Sequence, residues 1–100
     1  MEERSRHQMG ELCPVNIPIQ MICAVDTSGK ISPMRFRFET QEHSLETVNI
    51  DGIISRSEKN YVGIREQQFI CRVRIGNLAK TLEIRMNVDS QKWRIFQFLS

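Results

Sequence analysis

Six arginines alternate with apolar residues in extended-looking stretches: Arg35, Arg37, Arg72, Arg74, Arg85 and Arg94. Arginine is planar, permanently charged, and able to grip a phosphate or carboxylate with two hydrogen bonds. Where the apolar neighbours face a core, all six guanidinium groups point outward. Small β-barrels hold nucleic acid in this way, tracking phosphates with basic strand residues and stacking bases on aromatics. Tyr61 is the aromatic most available for stacking. Glu39 and Glu83 share the outward parity, so cross-strand Arg–Glu pairing is the competing use of the same arginines. A second lead is apolar: Ile22, Ala24, Ile70 and Phe96 also have outward parity, and an exposed apolar patch marks a protein interface or a homodimer.

Other chemistry finds little support. There is no GxxxxGK[ST] or GxGxxG phosphate loop. His7, Cys13, Cys23, His43 and Cys71 are the metal-ligand types, and none stands at ligand spacing. Cys23 and Cys71 lie in apolar alternation and read as buried structural thiols, where a cysteine is inert. A Cys71–His43 nucleophile pair would need a contact that spacing does not provide. Glu39, Glu42 and Glu46 flank a turn and read as a solvated rim. The expectation is therefore a non-enzymatic binding module with no metal or cofactor.

The elements that carry these residues are strands. Ile17, Ile19, Met21, Cys23 and Val25 share one parity of a first strand, with Ile22 and Ala24 on the other. Asp26 to Gly29 reads as a tight turn. Lys30 to Thr40 forms the second strand, with Met34, Phe36 and Phe38 inward and Pro33 suggesting an edge or bulge. After a turn at Gln41–His43, a third strand runs to Ile54. The polar cluster Ser55–Asn60 belongs to the longest expected loop, spanning Asp51–Asn60. Phe69, Cys71, Val73 and Ile75 mark the next strand. Apolar parity changes between Val62/Ile64 and Phe69/Cys71, which predicts a bulge near Arg65–Gln68. Gly76-Asn77 is a two-residue hairpin. Leu82, Ile84, Met86 and Val88 follow, then a turn at Asp89–Lys92 and a closing strand from Trp93 to Phe98.

Five to six strands joined by short turns, with no useful helical period, predict an all-β antiparallel fold. Closing such a sheet hides its edges, so a small SH3-like or related barrel, or a strongly bent sheet, is expected. The alternative is a sheet that buries its second face in a homodimer. Residues 1–16 form a polar leader, expected to be flexible, and residues 17–100 form a single β domain. The chain of 100 residues is 40% hydrophobic and 26% charged, as in ordinary folded domains. Its net charge of +2 names no partner. Three cysteines without a CxxC pair predict a reducing, cytosolic setting. Residues 1–12 lack the apolar stretch of a signal peptide, and no run approaches a membrane span of about 20 residues.

Two further groupings carry a resemblance. Gly29, Pro33, Phe36 and Phe38 form a Gly-x-x-x-Pro-x-x-Phe-x-Phe strand pair. With Val48–Ile50 and the closing Trp93-Arg94-Ile95, the chain resembles a bacterial family of small β-rich proteins of unknown function, encoded beside Y-family translesion polymerases. Ser55–Gln68 and the acidic residues around Glu39–Glu46 depart from that pattern. The resemblance implies an accessory role near DNA repair and transfers no functional residue.

Overall fold

Alternation of apolar and polar side chains over six segments gives six strands. The computed structural model describes residues 15–100. They are β1 (Ile17–Val25), β2 (Ile31–Glu39), β3 (Leu45–Tyr61), β4 (Ile64–Ile75), β5 (Leu78–Asn87) and β6 (Trp93–Phe98). Each pairs antiparallel with its sequence neighbour. Ile17–Ile19 of β1 then pairs with Trp93–Ile95 of β6 to close the barrel. The expected all-β antiparallel barrel is what forms. Residues 1–14, with His7, Cys13 and most of the leader, lie outside the described residues. The leader's last two residues rest on β6, where the backbone N–H groups of Val15 and Asn16 both point to the Phe96 carbonyl.

The inward faces make one core. Phe36, Val48, Phe69, Cys71, Val73, Leu82, Ile84 and Ile95 are buried in it, and Ile17, Ile19, Met21, Ile50, Trp93 and Phe98 pack around them. Phe69 stacks on Trp93 with ring centroids 5.6 Å apart. The turns follow the sequence. The Asp26 carboxylate accepts from the N–H groups of Ser28 and Lys30, while Gly29 takes a φ of 88°. Ile75 faces Leu78 across Gly76-Asn77, the expected two-residue hairpin.

Bulges correct the simple alternation at several points. In the β1–β2 ladder Ile22 faces Arg35 and Cys23 faces Pro33, so Met34 is the extra residue. That swings Met34 out into solvent and buries Pro33, the reverse of the expected sides. Cys23 is exposed rather than buried, because β1 continues past the core at this point. β3 carries two bulges, at Asp51 and Ile54.

β3 also runs through the expected loop. Ser55–Asn60 pairs residue by residue with Arg65–Ile70, whose other side is held by β5 from Glu66 onward, so only the tip of this β3–β4 arm projects past β5. Its β3 strand is polar because it supplies no stripe to the core. At the tip, Tyr61 faces Ile64 across a Val62-Gly63 turn, with φ of 49° and 88°. No bulge lies at Arg65–Gln68: β4 is continuous against β5, and Ile64, Glu66, Gln68 and Ile70 simply continue its outer face.

Candidate nucleic-acid interface

The barrel sorts the six arginines into two sets. Arg35 and Arg37 stand on β2, and Arg72 and Arg74 on β4, all exposed. Successive outward residues on one strand are about 6.7 Å apart, and β2 and β4 are separated by two strand spacings, about 9.6 Å. Their ladder partners are uncharged. Arg35 faces Ile22 and Asn49, Arg37 faces Gln20 and Thr47, Arg72 faces Gly52 and Thr81, and Arg74 faces Ala79.

The Arg72 guanidinium lies over Gly52, where an added Cβ would make only ordinary contact, 3.7 Å from Nη2. The one side-chain hydrogen bond among the four with a described partner is long: Arg74 Nη1 donates to the Asn77 carbonyl at 3.5 Å. No ion pair joins these four to any described acidic residue. Asp51, at its bulge in β3, and Glu39 border the face, and Glu39 is engaged with His43 Nδ1 at 2.8 Å.

Arg85 and Arg94 behave differently. They face each other across β5 and β6 on the outer wall. Two like charges at that spacing repel, and two glutamates neutralise them. Arg85 Nε donates to Glu83 Oε2 at 2.7 Å, and its Nη1 lies 3.4 Å from Glu66 Oε1. Arg94 Nη1 donates to Glu66 Oε2 at 2.5 Å, and its Nε donates to Asn16 Oδ1 at 2.8 Å. Gln68 and Gln97 donate their amides to Glu83 at 2.7 and 2.8 Å. The Arg85 guanidinium carbon sits over the Phe96 ring, 3.7 Å from its centroid.

Glu66, Glu83 and Arg85 are buried in this cluster. Its carboxyls titrate low. The hydrogen bond from Arg94 holds Glu66 below the ordinary value, against the cost of burial. Burial pulls Glu83 upward, but the hydrogen bonds from Gln68, Gln97 and Arg85 outweigh it and leave Glu83 low as well. Both arginines are thereby committed to the wall of the barrel. The Arg–Glu pairing expected from parity is found here and, among the described residues, not at the other four arginines.

The remaining sequence candidates separate in space. Tyr61 sits beside the ionic cluster, its Oη accepting from Arg85 Nη1 at 3.1 Å, and so is not placed to stack bases on the β2–β4 face. Cys71 is wholly buried, and burial pushes its thiol up to about 11 although Arg56 pulls it down. His43 is exposed at the β2–β3 turn, away from that core position. Among the described residues no three His, Cys, Asp or Glu converge as a metal site would require. Glu39, Glu42 and Glu46 are exposed, as a solvated rim would be. Ile22 and Ala24 are exposed, whereas Ile70 and Phe96 are partly covered, so the outward apolar set does not form one patch.

One arginine escaped the sequence reading because it sits in the expected loop. Arg56 bridges the place where β2 and β3 part, donating to the Ile31 carbonyl at 2.7 Å and the Ser32 hydroxyl at 3.2 Å. A cleft of about 410 Å³ opens there, lined by Gly29, Lys30, Ile31, Arg56, Ser57, Glu58 and Gln67. Among the described residues no helix is long and apolar enough to cross a membrane. Comparison with protein-family models, curated proteins and solved structures finds no match to this chain.

Proposed function

We propose that this chain is a non-catalytic module that holds the phosphate backbone of nucleic acid on the outer face of β2, β3 and β4. The observation that carries the reading is the contrast between the two arginine sets. Arg85 and Arg94 are neutralised by Glu66 and Glu83, whereas Arg35, Arg37, Arg72 and Arg74 face only uncharged ladder partners. Four exposed guanidinium groups on one face suit phosphates better than one small anion.

Contacts of this kind position a backbone and carry little sequence information. With Tyr61 turned toward Arg85, base stacking contributes little, so sequence preference should be weak. Burial keeps the Cys71 thiol protonated, and the two described cysteines, Cys23 and Cys71, are free, which fits a reducing, cytosolic setting. An accessory role near DNA repair, implied by the family resemblance, is of the same kind.

The test is fluorescence anisotropy with labelled single- and double-stranded DNA and RNA at low salt. Arg72→Ala with Arg74→Ala, and Arg35→Ala with Arg37→Ala, should each weaken binding at least tenfold while the far-UV spectrum stays unchanged. Binding that both double variants retain in full would remove the proposal.

A further inference from the structure

Every strand of the barrel carries at least one charged residue except β1, Ile-Pro-Ile-Gln-Met-Ile-Cys-Ala-Val. β1 pairs with β6 only through Ile17–Ile19. From Gln20 to Val25 it pairs with β2 on one side, and its other edge meets no described strand. Ile22 is 49% and Val25 61% exposed, and Cys23 and Ala24 are exposed with them. Free edges are ordinarily guarded by lysine, proline or an inward charge, and the Gln20–Val25 stretch carries none of these.

We infer that this edge pairs with the same edge of a second copy, as an antiparallel two-fold dimer through β1. Several features select a second copy over another extended chain. A strand pairs with itself in antiparallel order about a two-fold axis normal to the sheet, which is the closed symmetry of most dimers. With the axis at Cys23, Ile22 lies opposite Ala24 of the second copy and Met21 opposite Val25, setting large residues against smaller ones. Gln20 then meets Asp26, so both ends of the ladder are polar.

The same axis keeps the outer faces on one side. β2 follows β1 in each copy, so Arg35 and Arg37 of the two copies lie on one continuous sheet face, on β2 strands about three strand spacings or 14 Å apart. Dimerisation itself needs no nucleic acid; its extension of the basic face rests on the proposed function. The ladder is only about six residues long, so association belongs in the micromolar range.

Sedimentation without nucleic acid tests it. The full chain should pass from monomer to dimer between roughly 5 and 200 μM, as the small interface implies. Ala24→Lys, which places a charge on the edge and touches no core residue, should sediment as a monomer throughout with an unchanged far-UV spectrum. In a Cys13→Ser chain, a short bis-maleimide should link two copies through Cys23, and adding Cys23→Ser should abolish the link. A wild-type monomer at 200 μM, a dimer that survives Ala24→Lys, or one that Cys23 does not capture would overturn the inference. Full retention of nucleic-acid binding in the arginine variants with the dimer intact would instead strike the proposed function alone.

Discussion

Glu83→Ala separates the arginines that hold the barrel from those without a described acidic partner. The Glu83 carboxylate accepts three hydrogen bonds, from Gln68, Arg85 and Gln97, all between 2.7 and 2.8 Å. Truncation leaves two partly buried amides without their acceptor. It also leaves Arg85 with Glu66 at 3.4 Å and Tyr61 at 3.1 Å. Removing one partner of a buried ion pair costs about 3–5 kcal/mol. The retained Glu66 contact places this variant at the lower end, about 3 kcal/mol.

A domain of this size has roughly 5–15 kcal/mol in total. At a urea slope of about 1.5 kcal/mol/M, the midpoint should fall by about 2 M. Unfolding is followed by far-UV circular dichroism and by the fluorescence of Trp93, which stacks on core Phe69. Replacing both charges, Glu83→Leu with Arg85→Met, removes the uncompensated ion and should recover at least half of the loss. Arg72→Ala with Arg74→Ala should stay within about 0.5 kcal/mol of the parent, as exposed substitutions do. A midpoint shift below about 0.5 M for Glu83→Ala would refute the reasoning, because it would mean that the cluster is solvated.

Two more outcomes are expected. Glu66 and Glu83 both titrate below the ordinary value of 4.5 in the folded chain, so their contribution is complete above 4.5 and is lost as pH falls through their lower folded values. The urea midpoint should therefore hold between about pH 7 and 5 and fall below about 4.5, and Glu66→Gln with Glu83→Gln should flatten that fall; an equal fall in the variant would place the acid sensitivity elsewhere. Val62 is fully exposed at φ 49°, a conformation that disfavours β-branched residues. Val62→Asn would give the arm an Asn-Gly turn and should add about 1 kcal/mol in urea unfolding, whereas a loss of stability would show that the Val62 side chain packs on something.

The barrel was legible because its inward residues keep strict parity over long runs: Phe69 to Ile75, Leu82 to Met86, and Ile17 to Met21 all face inward. The turns were legible because Asp26, Gly29 and Gly76 have few other uses. The far half of β3 was not, since Ser55–Asn60 pairs only with β4, supplies no apolar stripe to the core and is as polar as a loop. The bulges at Met34 and Phe96 leave no sequence mark strong enough to place them, although Pro33 located the first within a residue.

For the site, Glu83 and Arg85 stand two apart on one strand face, so their pairing was visible in outline. The part played by Glu66 was hidden, because it depends on the β4–β5–β6 registers that bring Arg85 and Arg94 together. The distinction between arginines paired to Glu66 and Glu83 and those with no described acidic partner is thus a property of strand order, which no local pattern encodes.

The salt dependence of binding to a labelled single strand, at protein concentrations well below a micromolar, tests the central claim most directly. Four arginine–phosphate contacts should give a slope of about −2.8 in log affinity against log salt, at roughly 0.7 per contact. That corresponds to a loss of about 50-fold between 50 and 200 mM salt. Arg72→Ala with Arg74→Ala should halve the slope to about −1.4, or roughly sevenfold over the same range. No binding at low salt, or a slope that the double variant leaves unchanged, would contradict the assignment of this face to the nucleic-acid backbone.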